Sequence, residues 1–222
     1  MSSDSIAQRL SRLDSCAVSD ALDKLRLPGT VVGLVQMTVP RKISGRVLTV
    51  KLEAATDGGV PNRPPVHLGA RAIEQAERGD IIAVEQSTGI VAGCWGGILS
   101  VGARVRGIAG VIAEGLIRDV DEARGIEFPV YARGSTSLTA RGRVRERETG
   151  GTIHVGGVSV ASGDYALSDS TGTVFLRKDQ AEAILTVAEQ IAAREFAMAG
   201  DLIAGASITV VMGHAYERML TP

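Results

Sequence analysis

Apolar residues at helical spacing open the chain: Ile6, Leu10 and Leu13 recur behind Asp4 and Ser5 and predict a short helix. A second helix fits residues 15–25 and is stopped by Pro28-Gly29. Residues 45–53 are dense in Val and Leu and read as a strand. The Gly- and Pro-rich run Asp57-Gly58-Gly59-Val60-Pro61-Asn62-Arg63-Pro64-Pro65 follows as a rim or lid. The pattern then alternates: a helix over 67–77, a turn at Gly79-Asp80, a strand over 81–85, and a helix opened by Gly93-Cys94-Trp95-Gly96-Gly97 that runs to Arg106. A strand over 108–113 and a short helix after Asp119 continue it. Such βα alternation implies parallel strands with a site at their carboxyl ends.

Beyond Pro129 the pattern shortens to strands and hairpins. Residues 152–160 alternate around Gly156-Gly157, which suits a tight hairpin turn, and Gly163-Asp164 and Ser170-Thr171-Gly172 mark two further turns. A helix is predicted from Lys178 to about Ala204, with Ile184, Ala188, Ile191 and Glu195 on spacings of three and four. The expectation is one α/β domain over 1–222 with a C-terminal helical extension over about 178–222.

Composition sharpens this reading. With 24 Lys+Arg against 25 Asp+Glu, the 222 residues are not globally basic, so a nucleic-acid partner is not expected. Aromatics make up 3% while glycine supplies 27 residues, which asks for a core of small aliphatic side chains and closely approaching backbones. Cys16 and Cys94 lie in unlike contexts and suggest neither a disulfide framework nor a zinc ribbon. Residues 1–20 hold no continuous apolar h-region, and no run reaches the ~18 apolar residues of a membrane span, so a cytoplasmic location is expected.

The candidate chemistry converges on Gly96-Gly97-Ile98-Leu99 at a helix start and Arg118-Asp119 just past the following strand. If the strands are parallel neighbours, both lie at one sheet edge. Amides at a helix start, uncovered by two glycines, suit a carboxylate or phosphate. Arg118 can grip the same anion, and Asp119 offers a hard oxygen ligand for Mg²⁺ or Mn²⁺. The same residues also read as a helix cap with a surface ion pair and a turn for close packing, and Trp95 as a core or interface anchor. His67, His154 and His214 form no ligand motif.

Trp95-Gly96-Gly97-Ile98-Leu99, Arg104-Val105-Arg106-Gly107-Ile108-Ala109-Gly110-Val111, Gly115-Leu116-Ile117-Arg118-Asp119-Val120-Asp121-Glu122 and Phe128-Pro129-Val130-Tyr131-Ala132-Arg133-Gly134 resemble the RraA-like family. Val18-Ser19-Asp20-Ala21-Leu22-Asp23 and the segments Ser162-Gly163-Asp164 and Asp169-Ser170-Thr171-Gly172-Thr173-Val174 extend the resemblance over most of the chain. That family includes divalent-metal-dependent 4-hydroxy-4-methyl-2-oxoglutarate aldolases and protein regulators of ribonuclease E. The resemblance implies a swivelling β/β/α fold in trimeric rings, with sites at subunit boundaries and trimer or hexamer left open. It implies that Arg118 binds the substrate carboxylate with help from the amides of Gly96, Gly97, Ile98 and Leu99, and that Asp119 ligates Mg²⁺ or Mn²⁺. The implied reaction is carbon–carbon cleavage or decarboxylation of a small 2-oxo acid through a metal-stabilised pyruvate enolate. The alternative is a non-catalytic regulator that binds ribonuclease E or another protein.

The sequence departs from the aldolase pattern at one position: Gly97 stands where the aldolases carry an acidic residue that orients a metal-bound water. Glu85, Glu114 and Glu122 are candidate substitutes, with Glu114 favoured because it closes the strand before Arg118. Glu195 is the candidate for a carboxylate that family members receive from a neighbouring subunit's C-terminal helix. The lysines Lys24, Lys42, Lys51 and Lys178 all lie outside the block, so a Schiff base has no obvious partner. Arg141, Arg143, Arg145 and Arg147 would share one face of a strand, as a basic ridge, a solvated strand or a subunit contact.

Overall fold

The computed structural model describes residues 5–55 and 67–213. The Gly- and Pro-rich run at 57–65, Asp4 and His214 lie outside the described residues, as does the C-terminal extension beyond 213.

Chain order is α1 (Ser5–Leu10), α2 (Ser15–Leu25), β1 (Thr30–Val31), β2 (Val35–Gln36), β3 (Ile43–Ala54), α3 (Ala70–Gln75), β4 (Ile81–Glu85), α4 (Gly97–Arg106), β5 (Gly110–Ile117) and α5 (Val120–Gly125). There follow β6 (Val130–Ser135), β7 (Val144–Thr149), β8 (Thr152–Val155), β9 (Val158–Ala161), β10 (Tyr165–Ser168), β11 (Thr173–Leu176), α6 (Ala181–Ile203) and α7 (Ile208–Val211). The main sheet runs β1-β11-β10-β3-β4-β5-β6-β2, with β7 added on the far half of β3. Its centre, β3-β4-β5-β6, is parallel, as the βα alternation requires, and its flanks are antiparallel.

Strand β4 shows why the centre holds. All five of its residues are buried, because alternate side chains enter two different cores. Ile82 and Val84 face the helical side, with Trp95, Leu99 and Ala103, while Ile81 and Ala83 face Ile153, Val155 and Val160 of the β8–β9 hairpin. A third core joins α1, α2 and α6 to β10 and β11 through Leu10, Leu22, Leu167, Leu176 and Ile184. Asp14 starts α2 by accepting the Ala17 N–H at 2.8 Å, and Arg26 ends it in the left-handed region.

Several boundaries differ from the sequence expectation. Helix α3 is shorter than residues 67–77, because Gly69 enters it with positive φ. Strand β5 continues through Glu114 to Ile117 instead of stopping at Ala113; a register shift against β6 absorbs Glu114-Gly115. The four arginines do not form a ridge. Only Arg145 and Arg147 lie on β7, Arg143 donates to the Thr139 carbonyl at 3.2 Å, and Arg145 pairs with Glu53 at 2.9 Å. No described helix is long and apolar enough to cross a membrane.

Candidate active site

The chain returns beside the carboxyl end of β5 and builds the site there. Cys94 N–H donates to the Leu116 carbonyl at 2.7 Å and Arg118 N–H to the Trp95 carbonyl at 2.9 Å, so residues 93–96 lie alongside the strand end. Trp95 is buried, and its indole N–H donates to Ser100 Oγ, which in turn donates to the Gly96 carbonyl. Trp95 is thus the core anchor that fixes the start of α4. Cys94 is also buried, and burial pushes its thiol up to about 12, which removes it as a nucleophile.

Three glycines let the functional side chains approach. A Cβ on Gly93 would stand 3.0 Å from Arg118 Cγ, and one on Gly96 would stand 2.9 Å from an Asp119 carboxylate oxygen. A Cβ on Gly97 would collide with the Glu122 carboxylate. Asp119 itself adopts φ 58°, a strained choice for a residue with a side chain, and makes no cap bond to α5. Instead its carboxylate accepts the Gly97 N–H at 3.0 Å and the Arg118 Nε–H at 3.2 Å. The Gly97 N–H, with Arg118 adding to it and partial burial opposing, holds its pKa below the ordinary carboxylate value, so Asp119 is ionised at neutral pH.

A cleft of about 410 Å³ opens over these residues. It is lined by Gly96, Gly97, Ile98, Leu99, Arg118 and Asp119, all named from the sequence, and no lysine lines it. The Gly97 amide is engaged by Asp119, which leaves Ile98 and Leu99 as the first-turn donors without an intrahelical acceptor. His67, Thr139 and Arg141 also line the cleft, and sequence reasoning did not place them there. Their signal was weak: they follow other elements and are brought in by the loops before α3 and after β6.

The carboxylates named as substitutes separate clearly. Glu114, the favoured one, is clamped by Arg133 at 2.8 and 2.9 Å and accepts the Gly156 N–H at 2.8 Å. Its side of the strand faces the hairpin, and it does not line the cleft. Glu85 pairs with Lys51 at 3.3 Å and accepts the His154 N–H. Glu122 stands outside the cleft lining too, but it is the one that reaches Gly97, since it lies one helical turn beyond Asp119 and shares its face of α5. Glu195 lies on α6 beside Asp14 and Asp20, where burial and those charges raise its pKa, and it does not line the cleft of its own chain.

Among the described residues no group of three His, Cys, Asp or Glu side chains converges as a closed metal cage. The donor chemistry fits an open site for a hard divalent ion, in which an ionised Asp119, flanked by Glu122, supplies oxygen and the other positions fall to water and ligand.

The chain has relatives among known proteins and solved structures. A relative in Halalkalibacterium halodurans, named "Putative 4-hydroxy-4-methyl-2-oxoglutarate aldolase", is 27% identical over 80% of this chain and 79% of its own. The protein DlpA of Legionella pneumophila is 23% identical over 81% of this chain, which spans only 29% of DlpA. MJ0644 of Methanocaldococcus jannaschii is 30% identical over 46% of this chain and 48% of its own. Among solved structures, an uncharacterised protein of Pseudomonas syringae superposes with a TM-score of 0.83 at 22% identity, covering 95% of this chain and 98% of its own. RraAS2 of Streptomyces coelicolor, described as an unusual member of the RNase ES inhibitor RraA family, gives 0.76 at 21% identity over 89% and 98%. A family model described as RraA-like, Aldolase/RraA, matches residues 15–175, and the chain belongs to that family.

Proposed function

We propose that the protein is a divalent-metal-dependent carbon–carbon lyase of small 2-oxo acids. The observation that carries this reading is the unsaturated Arg118–Asp119 pair at the start of α4, with the Glu122 carboxylate in the space left by Gly97. Arg118 spends only its Nε–H on Asp119, and its terminal nitrogens meet no acceptor among the described residues, so they are available to a substrate carboxylate. The Ile98 and Leu99 amides add donors at the positive end of α4. Asp119, with Glu122 beside it, would hold Mg²⁺ or Mn²⁺, which when bound supplies a Lewis acid for the keto oxygen.

Glu122 is the acceptor for the C4 hydroxyl proton of a 4-hydroxy-2-oxo acid, directly or through one water. The C3–C4 bond then breaks, its electron pair moves toward the C2 carbonyl, a carbonyl compound leaves, and protonation at C3 gives pyruvate. With oxaloacetate the same bond releases carbon dioxide and needs no hydroxyl proton acceptor. Apolar side chains exposed on α4 (Ile98, Val105) and α6 (Phe196, Ile203) support self-association as a trimer or hexamer, through which Glu195 would reach a neighbour's cleft.

The test is pyruvate release from oxaloacetate and from 4-hydroxy-4-methyl-2-oxoglutarate, with and without Mg²⁺, against metal alone as the blank. Metal-dependent release above the blank is expected, and its absence with both substrates overturns the reading. The fold likeness to RraAS2 supports a second reading, a regulator that binds a ribonuclease E-type protein. Co-purification with such a ribonuclease, together with silent lyase assays, is the outcome that favours it.

A further inference from the structure

One planar peptide joins the buried core to the cleft. The Gly96 carbonyl accepts the Ser100 N–H at 3.0 Å and the Ser100 Oγ–H at 3.0 Å, while the N–H of the same peptide unit, that of Gly97, donates to Asp119 Oδ2 at 3.0 Å. In a trans peptide the C=O and N–H point in opposite directions, so the donors that draw the Gly96 carbonyl into α4 aim the Gly97 N–H out of it, at Asp119. Glu122 occupies the side of Gly97 where a Cβ would stand, which leaves the amide itself to Asp119.

Ser100 is 1% exposed and is held in turn. Its Oγ accepts the Trp95 indole N–H at 3.0 Å; the indole can only donate, so the hydroxyl proton is left for the Gly96 carbonyl. Trp95 is fixed from the other side by Gly69, where a Cβ would stand 2.9 Å from Cζ3 and whose N–H donates to Glu146 Oε2 at 2.8 Å. From Trp95 through Ser100 and the Gly96-Gly97 peptide to Asp119, every donor points the same way, and hydrogen bonds in such a chain polarise one another. The second donor on the Gly96 carbonyl therefore strengthens the Gly97 N–H as a partner of the Asp119 charge. That bond commits Oδ2. Oδ1 accepts from Arg118 Nε at 3.2 Å, a contact that Oδ2 shares, and is the freer oxygen toward a cation.

We infer that Ser100 is a positioning residue for the metal-binding carboxylate: through the Gly96-Gly97 peptide it fixes Asp119 by Oδ2 and leaves Oδ1 for the ion. The inference rests on the metal-dependent reading above and adds to it a buried residue that touches neither ion nor substrate.

Mn²⁺ binding, followed through the EPR signal of the free ion, tests it together with the emission of Trp95, the single tryptophan of the chain, during a Mg²⁺ titration. Ser100→Ala should weaken Mn²⁺ binding about 3- to 10-fold, the scale of one neutral hydrogen bond, and should lose the Mg²⁺-dependent change in emission expected of the wild type. Ser100→Thr restores the hydroxyl and should bind within about twofold of wild type. Ser100→Cys, of similar size but with a weak S–H donor, should bind like the alanine variant and replaces it if that one does not fold. Urea midpoints separate stability from binding. If Ser100 only supports α4, the alanine and cysteine variants lose stability yet keep wild-type Mn²⁺ affinity and emission response; the inference then falls and the metal reading stands. A threonine variant as weak as alanine overturns it equally, since volume and not the hydroxyl then decides. A wild type that binds no Mn²⁺ overturns both.

Discussion

Two arginine–carboxylate pairs sit on the same strand region, and they are built differently. Arg133 of β6 places Nε and one terminal nitrogen on the two Glu114 oxygens at 2.9 and 2.8 Å and the other terminal nitrogen on the Val32 carbonyl; Glu114 also accepts the Gly156 N–H. Every nitrogen of that guanidinium is used. Arg118, a few residues further along, touches Asp119 only through Nε at 3.2 Å, over a cleft. The saturated pair ties the β8–β9 hairpin to the sheet. The unsaturated pair keeps donors in reserve, which is what a ligand site requires.

The largest effect should come from breaking the open pair. Asp119→Ala is expected to lower metal-dependent pyruvate release by about 10³-fold or more, since it removes the direct oxygen ligand and the partner of the Gly97 amide. Its melting temperature should stay within a few degrees of wild type, which differential scanning calorimetry would check. A large fall in stability would place Asp119 with the structural pair instead.

Next comes Glu122, for which Glu122→Gln should cost about 10²-fold in kcat on 4-hydroxy-4-methyl-2-oxoglutarate, the scale of general acid–base help. Oxaloacetate should lose less, because its cleavage has no hydroxyl proton to remove. The space shared by residues 97 and 122 allows a transplant: Gly97→Asp with Glu122→Ala moves the carboxylate across the gap that Gly97 leaves. Activity of the double variant above that of Glu122→Ala alone is the expected result; no recovery would mean that the carboxylate matters only on α5.

The saturated pair should answer in stability. Glu114→Ala leaves Nε and one terminal nitrogen of Arg133 and the Gly156 N–H without their acceptor, at a cost of about 1–3 kcal/mol. A urea midpoint measured against wild type checks it, and kcat of the folded fraction should change less than about twofold. A loss of kcat with unchanged stability would return Glu114 to the active site.

Much of this contrast was legible in the sequence, and the remainder was hidden for definable reasons. Strand β4 and the start of α4 read correctly because the apolar run Ile81-Ile82-Ala83-Val84 and a glycine pair are local signals. Arg118 and Asp119 were legible for the same reason, as polar residues immediately after an apolar strand. The roles of Glu114 and Glu122 were not. Adjacency along the chain favoured Glu114, but alternation on β5 and the shift at Ala113/Leu116 point it toward Arg133, a partner 19 residues away. Glu122 needed the three-residue period of α5 and the missing side chain at Gly97, two facts from separate elements that meet only in the fold. Arg141 was legible as a charge but not as a place, since the ridge it seemed to share is divided among a turn, a carbonyl and a glutamate.

The smallest effect belongs to a third pair, which calibrates the other two. Arg9 of α1 donates to Glu189 at 2.7 and 2.9 Å and to Glu182 at 2.5 Å on α6, at the surface and far from the cleft. The hydrogen bond from Arg9 holds the Glu189 pKa below its ordinary 4.5, with partial burial opposing. The folded state therefore binds that proton less readily than the unfolded chain. Its stabilisation is fully present above pH 4.5 and is lost as the pH falls through 4.5 and then through the lower folded value. Because Glu189 is 41% exposed, solvent screening limits the gain to about 0.2–1 kcal/mol. Glu189→Gln should thus shift the urea midpoint slightly at pH 7 and progressively less as the pH falls below 4.5, and 1 M salt should shrink the neutral-pH difference. Glu114→Ala, removing a less exposed and bidentate partner, should keep most of its effect in the same salt. If both variants respond to salt alike, the Arg133–Glu114 pair is an ordinary surface contact, and hydrogen-bond saturation no longer separates the structural pair from the one over the cleft.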